Sequence, residues 1–214
     1  NVTHPSTSGI TFNSTGINTS PAVRFNGINA DILTTANAVD QRTVIIVNQV
    51  DPTVGDLMGI YSQVRTGIPE IYGTPTIRTN TTTGWRGAGA PTNGGDLSNG
   101  GTQSINGVTG FVHNNLPHFT TQIASANFAF PVAIGDFFSV ANGARATKAN
   151  IGEVIVYNSV LSASALQQIN SYLAFKYGIA LASGVDYLDS AGNILWNATT
   201  NGTYTNDVAG IGID

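Results

Sequence analysis

The sequence contains no cysteine and very few charged side chains. Its 214 residues include 0 cysteines, so no disulfide stabilises the fold. A chain of this length buries well over half of its unfolded surface and does not need one. Asp, Glu, Lys and Arg make up 9% of the residues, whereas about a quarter is typical. The fold therefore relies on its apolar core and its hydrogen bonds.

Glutamate and lysine are the scarcest of these charged residues. Glutamate occurs only at Glu70 and Glu153, and lysine only at Lys148 and Lys176. Helical proteins use both residue types heavily on exposed faces, so their scarcity argues against a mainly helical fold. The net charge is −4 and no basic patch is visible, which argues against a nucleic-acid partner. Runs of about 18 apolar residues are also missing, so we expect no membrane insertion.

Threonine, asparagine and glycine take the place of the charged residues, which suits strands and turns. Residues 43–50 read TVIIVNQV, an apolar and β-branched run that predicts a strand buried on both faces. Further candidate strands are Ala22–Phe25, Leu57–Tyr61, Glu70–Tyr72, Gly110–His113, Phe119–Ala124, Val132–Ile134 and Glu153–Tyr157. The sequence therefore predicts an all-β fold, a two-sheet antiparallel sandwich.

One segment in the C-terminal half has the features of an amphipathic helix. Ser162 is a good N-cap, and Gly178 supplies the left-handed residue that commonly ends a helix. Between them one helical face carries Leu166, Ile169, Leu173 and Tyr177. We predict a helix at residues 162–177 that lies against the sandwich, with one open end of the sheets as a candidate position.

The chain changes character after this helix. A hairpin is expected around Ser190-Ala191-Gly192, and Trp196 is expected in the core. Residues 208–213 alternate like an unfinished strand. We therefore divide the chain into a main domain at residues 1–185 and a hairpin segment at residues 186–214, which opens a following module.

Three segments together resemble the concanavalin A-like lectin/glucanase superfamily, in its laminin-G-like jelly-roll branch. They are AVRFNGINADILTT at residues 22–35, VAIGD at residues 132–136, and IGEVIVYNSVLSASALQQINSYLAFKYGI at residues 151–179. The last is similar to versions found in large surface proteins of Bacteroidetes-type bacteria, where a segment like NDVAGIGID often follows. The resemblance implies a jelly roll in a secreted protein of the bacterial cell surface.

The resemblance also bears on calcium. At Asn29-Ala30-Asp31 this sequence departs from the paired acidic residues of many relatives, which argues against an inherited calcium site at that turn. Calcium prefers six to eight oxygen ligands, which Asp, Asn and backbone carbonyls can supply elsewhere. Asp136, at the end of a predicted strand, is the candidate ligand. His113 and His118 flank a proline-containing turn, but with no nearby acidic residue we expect ordinary surface residues.

The glycine-rich region at residues 79–99 predicts long surface loops that contain a tryptophan. An exposed tryptophan is a natural platform for the apolar face of a sugar or for a peptide. The alternative is that this side chain folds inward and fills the edge of the fold. We predict that the loops bind a glycan or protein ligand through Trp85, Arg86, Asn93, Asp96 and Asn99.

The sequence offers little support for catalysis. Hydrolysis of a glycosidic bond normally requires two carboxylates about 5–10 Å apart. Glu153 stands on a predicted strand without an acidic partner, and Glu70 is remote from it. We expect Glu153 to cap a strand or to pair with an arginine such as Arg24, with Ile151 and Ile155 on its side of the strand. We therefore predict that the chain is not an enzyme.

Three functions stay open at this point. The first is a lectin-like, ligand-binding module of a bacterial adhesin. The second is a purely structural module of a stalk or filament, whose partners are neighbouring modules or subunits. The third is a glycan-active hydrolase. Function depends on a specific site rather than on the fold. The tryptophan in the predicted loops is such a candidate site, and it favours the ligand-binding module.

Overall fold

The computed structural model describes residues 2–3, 9–27, 32–51, 53, 59–63, 77–80, 84–87, 102–105, 108–109, 116–135 and 146–203. Within them the chain forms antiparallel strands and one helix. In chain order the elements are β1 (Val2–Thr3), β2 (Ile10–Ile17), β3 (Ser20–Asn26), β4 (Leu33–Thr35), β5 (Val39–Val50), β6 (Gly59–Gln63), β7 (Ile77–Asn80), β8 (Gly84–Gly87), β9 (Thr102–Ile105), β10 (Val108–Thr109), β11 (His118–Phe130), β12 (Val132–Ile134), β13 (Lys148–Tyr157), α1 (Ala163–Tyr177), β14 (Tyr187–Leu188) and β15 (Ile194–Trp196). The predicted all-β class is confirmed at this level, while the predicted strands at Glu70–Tyr72 and Gly110–His113 lie outside the described residues.

The described strands form two large sheets and a small hairpin. One sheet has six strands in the order β1-β4-β12-β6-β7-β8, and the other has seven in the order β10-β9-β11-β5-β13-β3-β2. The pairings within both sheets are antiparallel. The long strands β5, β11 and β13 lie side by side, so they form the centre of the seven-stranded sheet.

Strand β5 is buried on both faces, as its apolar run predicts. Val44 and Ile46 belong to an inter-sheet cluster that also contains Tyr61 and Val132 of the six-stranded sheet. Their neighbours Ile45 and Val47 point the opposite way and pack against α1. A strand covered on both sides needs apolar residues at successive positions, which explains the unbroken VIIV run.

The two sheets approach closely at Gly135, directly after β12. This residue has φ of 94°, a conformation that favours glycine. A Cβ atom here would meet the ring of Phe25, from β3, at 2.1 Å. A second connection joins β6 to β5, where the Tyr61 hydroxyl donates to Gln41 Oε1 at 2.8 Å. The order β6-β7-β8 in the six-stranded sheet therefore runs in the same direction as the order β5-β11-β9 in the seven-stranded sheet. Strands β7 and β8 lie on the same side of the pair of sheets as β11 and β9.

The helix begins and ends where its capping residues predict. The Ser162 side chain accepts a hydrogen bond from Ala165 N at 3.1 Å, and Gly178 adopts a left-handed conformation with φ of 58°. Leu173 and Tyr177 are buried against the outer face of the seven-stranded sheet. The prediction that the helix lies against the sheets is confirmed, and its position is the outer face of the seven-stranded sheet rather than an open end, because the outer apolar face of β5 also has to be covered.

The turn between β2 and β3 caps the C-terminal end of α1. Asn18 Nδ2 donates to Tyr177 O at 2.9 Å and to Gly178 O at 3.2 Å. Ser20 Oγ donates to Lys176 O at 2.7 Å. These carbonyl groups have no partner within the helix, so the turn supplies hydrogen bonds that the helix cannot make itself.

The predicted hairpin is present as β14 and β15, and it packs on the helix. Leu188 N donates to Ser171 Oγ at 2.9 Å, and Gln167 Nε2 donates to Asp186 O at 3.0 Å. Tyr187 belongs to the same buried cluster as Leu173. That residues 186–214 open a following module stays a prediction.

Among the described residues, no helix combines the length and the apolar character that crossing a membrane requires.

Candidate functional site

The predicted ligand-binding residues are only partly within the described residues. Trp85 and Arg86 lie on β8, the last strand of the six-stranded sheet, where Trp85 pairs with Thr79 of β7. The prediction of continuous loops at residues 79–99 is therefore wrong for this part, because Gly84–Gly87 pairs with Ile77–Asn80. The remaining predicted ligand contacts, Asn93, Asp96 and Asn99, lie outside the described residues.

A row of uncharged polar side chains lies on the inner face of the seven-stranded sheet. His118, Thr120 and Gln122 of β11 pair with Asn48, Ile46 and Val44 of β5. Directly paired residues point to the same face, and Val44 and Ile46 belong to the inter-sheet cluster. We call Asn48, His118, Thr120 and Gln122 the polar row. Each of its side chains is at most 4% exposed.

Three atoms of the polar row lack a hydrogen-bond partner among the described residues. They are Asn48 Oδ1, Thr120 Oγ1 and Gln122 Oε1. Burying such an atom without a partner costs about 1–3 kcal/mol. Nearby Gln41 differs, since it accepts from Tyr61 and donates to Phe130 O at 3.2 Å. The polar row is thus a set of hydrogen-bonding groups in a position where a core normally carries apolar residues.

The polar row was not predicted from the sequence, although residues 118–122 carry its alternating pattern. Residues 118–122 read HFTTQ, with polar residues at the first, third and fifth positions, and all of them except His118 lie in the predicted strand Phe119–Ala124. Sequence alone does not reveal which face of that strand points between the sheets. Only the register with β5 assigns His118, Thr120 and Gln122 to the inner face.

Glu153 is held by the helix rather than by an arginine. Lys176 Nζ donates to Glu153 Oε2 at 2.7 Å, and the hydroxyl groups of Tyr172 and Tyr177 donate to the same oxygen at 3.3 and 3.4 Å. The predicted partner Arg24 instead pairs with Asp51, at 2.8 Å. That prediction was wrong because the helix brings its own cation onto the strand.

The helix contacts shift the ionisation of two side chains in this cluster. Burial opposes the charged form of Lys176, but hydrogen bonds to Glu153 and Tyr172 and the charge of Glu153 outweigh it and raise the pKa of Lys176. Burial raises the pKa of Tyr177 to about 12. Lys176 also lies 5.1 Å from the ring centre of Tyr172. These contacts connect strand β13 to helix α1.

A bulge at Gly152 turns Glu153 toward the helix. The register of β13 against β5 shifts between Ile151 and Glu153. As a result Ile151 packs in the inter-sheet cluster, whereas Ile155 packs on the helix side. The expectation that both isoleucines share the side of Glu153 is therefore wrong for Ile151, because the bulge interrupts the strand's alternation.

Asp51 is the centre of a second charged cluster, at the end of β5. It accepts from the Thr53 hydroxyl at 2.6 Å and pairs with Arg24 at 2.8 Å and Lys148 at 3.2 Å. The Thr53 hydrogen bonds, with those of Arg24 and Lys148, outweigh the effect of burial and hold the pKa of Asp51 well below its usual range. A carboxylate engaged by two cations is poorly suited to bind calcium.

The described residues contain no group of three or more His, Cys, Asp or Glu that could hold a metal ion. The candidate ligand Asp136 lies outside them, as does His113, which was expected to be an ordinary surface residue. His118 is buried, with Nδ1 2.8 Å from Leu116 O, so the expectation of an ordinary surface histidine is wrong for it. A calcium site stays a prediction.

A small cleft lies at the base of the C-terminal hairpin. Its volume is about 130 Å³, and its lining includes Leu181, Ser183, Tyr187 and Trp196. The rings of Tyr187 and Trp196 meet edge to face, with their centres 5.5 Å apart. Trp196 packs against the core, as predicted, but is only half-buried. Ligand pockets usually span about 300–1,000 Å³, so this cleft is too small for most organic ligands.

Comparison with known proteins yields one match to a family model. The model described as "Domain of unknown function (DUF8202)" matches residues 165–214. No curated protein and no solved structure matches the chain. The matched region starts within α1 and includes the hairpin, two elements that hydrogen bond to each other. It does not include the large sheets.

Proposed function

We propose that this chain is a non-catalytic, ligand-binding module of a secreted bacterial surface protein, with a jelly-roll sandwich as its fold and a glycan as its ligand. The observation that carries the proposal is the polar row, a set of buried, uncharged hydrogen-bonding groups between the two sheets. Apolar residues at these positions would stabilise the fold better, so a binding role explains why polar ones are present. Trp85 is carried by β8, the edge strand of the six-stranded sheet, on the side of the sandwich where β11 carries most of the polar row.

The geometry of the carboxylates supports binding rather than hydrolysis. A glycosidase needs one carboxyl group to donate a proton and another to act as base or nucleophile. Glu153 Oε2 is already occupied by Lys176 and two tyrosine hydroxyls, and Asp51 by two cations. In the proposal both carboxylates stabilise the fold and neither reacts.

A purely structural role in a stalk or filament is the second candidate function. Two neighbouring apolar side chains, Ile194 and Leu195, are exposed on β15 of the hairpin. Exposed apolar side chains favour contact with another protein surface. In this alternative the hairpin contacts a neighbouring module and no soluble ligand is required.

Glycan and peptide arrays, probed with and without calcium, test the proposal. We expect wild type to bind neutral glycans, and Trp85→Ala to weaken that binding at least tenfold. Phe12→Ala is the matched control, because it removes an aromatic side chain that is 73% exposed on β2, the opposite edge strand of the other sheet. Binding to no ligand under either condition would favour the stalk. Loss of binding on calcium removal would support a cation near the predicted loops.

Reducing-sugar release from a panel of polysaccharides tests the hydrolase alternative. We expect no release by wild type or by Glu153→Gln, which keeps the shape of the side chain. Clear release by wild type that disappears in Glu153→Gln would overturn the non-catalytic proposal.

A further inference from the structure

We infer that the polar row forms a binding site between the sheets for a neutral ligand rich in hydroxyl groups, such as a short oligosaccharide. The inference rests on the proposed function in taking the ligand to be a glycan, and it adds the location of the site and the chemistry of recognition. The polar row shares no residue with the ligand contacts predicted from sequence.

The geometry of the row gives an extended site. His118, Thr120 and Gln122 alternate along one strand, and Asn48 lies directly beside His118 on the next strand. The four residue steps from His118 to Gln122 cover about 13 Å, so the row presents several polar groups along the length of a short saccharide. The row starts next to the surface, because Leu116, two residues before His118, is 59% exposed.

The unpaired atoms define the class of ligand. Two of them, Asn48 Oδ1 and Gln122 Oε1, are amide carbonyl oxygens, which accept hydrogen bonds and do not donate them. The third, Thr120 Oγ1, does both. A carboxylate or phosphate offers only acceptors and would face these oxygens without a hydrogen between them. A hydroxyl group donates and accepts, so it also fits either orientation of the side-chain amides.

A divalent cation fits the row less well than a saccharide. Calcium binds six to eight oxygens and usually takes several from carboxylates. The polar row contains no carboxylate, and the described carboxylates of Asp51 and Glu153 are paired with cations. The uncharged chemistry of the row therefore indicates an uncharged ligand.

A lone unpaired hydroxyl does not make a site, and the same strand provides the comparison. Thr121 is equally buried and its Oγ1 is also unpaired, but it lies on the outer face opposite Ile45, which packs in the apolar helix-side cluster. Thr120 differs in having polar neighbours on its own face. Thr121→Val is thus a matched control for Thr120→Val, with the same atoms removed from the other side of the strand.

Thermal melting and NMR with defined saccharides test the inference. Wild type, Thr120→Val, Gln122→Leu and Thr121→Val are each titrated with glucose, galactose, mannose, N-acetylglucosamine, cellobiose and lactose. A ligand that binds the folded state raises the melting temperature in a saturable way. We expect at least one saccharide to do so for wild type and Thr121→Val, and to shift the amide signals of residues 118–122. The effect is lost in Thr120→Val and Gln122→Leu.

The outcomes separate this inference from the proposed function. Sugars that are merely excluded from the protein surface stabilise all four proteins equally and without saturation. If this is the only effect observed, the inference is overturned. Saturable binding that survives both inner-face substitutions would also overturn it. If those variants keep wild-type array binding and Trp85→Ala loses it, the module binds glycans through its loops and the polar row is not the site. Each variant must show a cooperative melt, and melting temperatures of the unliganded proteins serve as the folding check.

Discussion

The cap that Asn18 places on the end of α1 predicts a graded loss of stability on substitution. Asn18 has φ of 44°, and its side chain donates to the carbonyls of Tyr177 and Gly178. Only the bond to Tyr177 is partly buried, so we assign about 1 kcal/mol to it and little to the exposed one. The left-handed backbone costs alanine about 1 kcal/mol more than asparagine. Asn18→Ala should therefore lose about 2 kcal/mol.

Two companion variants separate these contributions. Asn18→Gly removes the hydrogen bonds but tolerates the left-handed backbone, so it should lose about 1 kcal/mol. Thr19→Gly is the control in the same turn. Thr19 has φ of 69°, a strained conformation for a β-branched residue, and its side-chain hydroxyl donates to Asn18 O rather than to a helix carbonyl. Thr19→Gly should therefore be neutral or stabilising by up to about 1 kcal/mol.

Urea unfolding monitored by circular dichroism measures these differences. An unchanged slope of the unfolding free energy against urea concentration checks that unfolding stays two-state. The reasoning fails if Asn18→Gly is as stable as wild type, because the cap would then contribute nothing. It also fails if Asn18→Ala and Asn18→Gly lose the same amount, since the backbone conformation would then be irrelevant.

Three further perturbations follow from the buried contacts. Leu173→Ala should cost about 2–5 kcal/mol in urea unfolding, because the side chain is fully buried between α1 and the sheet; a loss under about 0.5 kcal/mol would mean that the helix packs through another face. Gly152→Ala should destabilise by about 1–3 kcal/mol, because the new Cβ would lie 2.7 Å from the ring of Tyr177. The double variant with Tyr177→Leu should recover part of that loss, and strictly additive losses would argue against the clash. The folded-state pKa of Asp51 is lowered, so its contribution to stability is present above its unfolded pKa of about 3.9 and is lost as pH falls below it. The stability difference between wild type and Asp51→Asn should therefore shrink from pH 6 to about pH 3, and a constant difference would contradict this.

Local patterns predicted the elements that depend on local physics. The helix has a side-chain cap at Ser162 and a left-handed residue at Gly178, and both act through neighbouring backbone groups. The double burial of β5 was visible because an unbroken apolar run leaves no solvent face. The turn at Gly192 likewise carries a positive φ of 88°.

Long-range pairing could not be predicted from the sequence. The partner of Glu153 depends on which helix face meets β13, and the bulge at Gly152 reverses the expected alternation there. Strand β8 and the second half of β7 were expected as loops, because short strands with glycine, threonine and asparagine look like turns. The polar row depends on register for the same reason, since a shift of one residue would exchange Thr120 and Thr121.

The position of β13 in the seven-stranded sheet determines when that sheet can be completed. On one side of β13, residues 148–151 pair with residues 23–26 of β3, and on its other side residues 149–157 pair with β5, so the early strands β3 and β5 are not neighbours. A chain that emerges from its N-terminus holds TVIIVNQV without this partner until most of the sequence has been made. Such non-local pairing slows folding, and an uncharged β-prone edge can meanwhile pair with another chain. Early folding therefore competes with aggregation, and this competition grows with the concentration of unfinished chains.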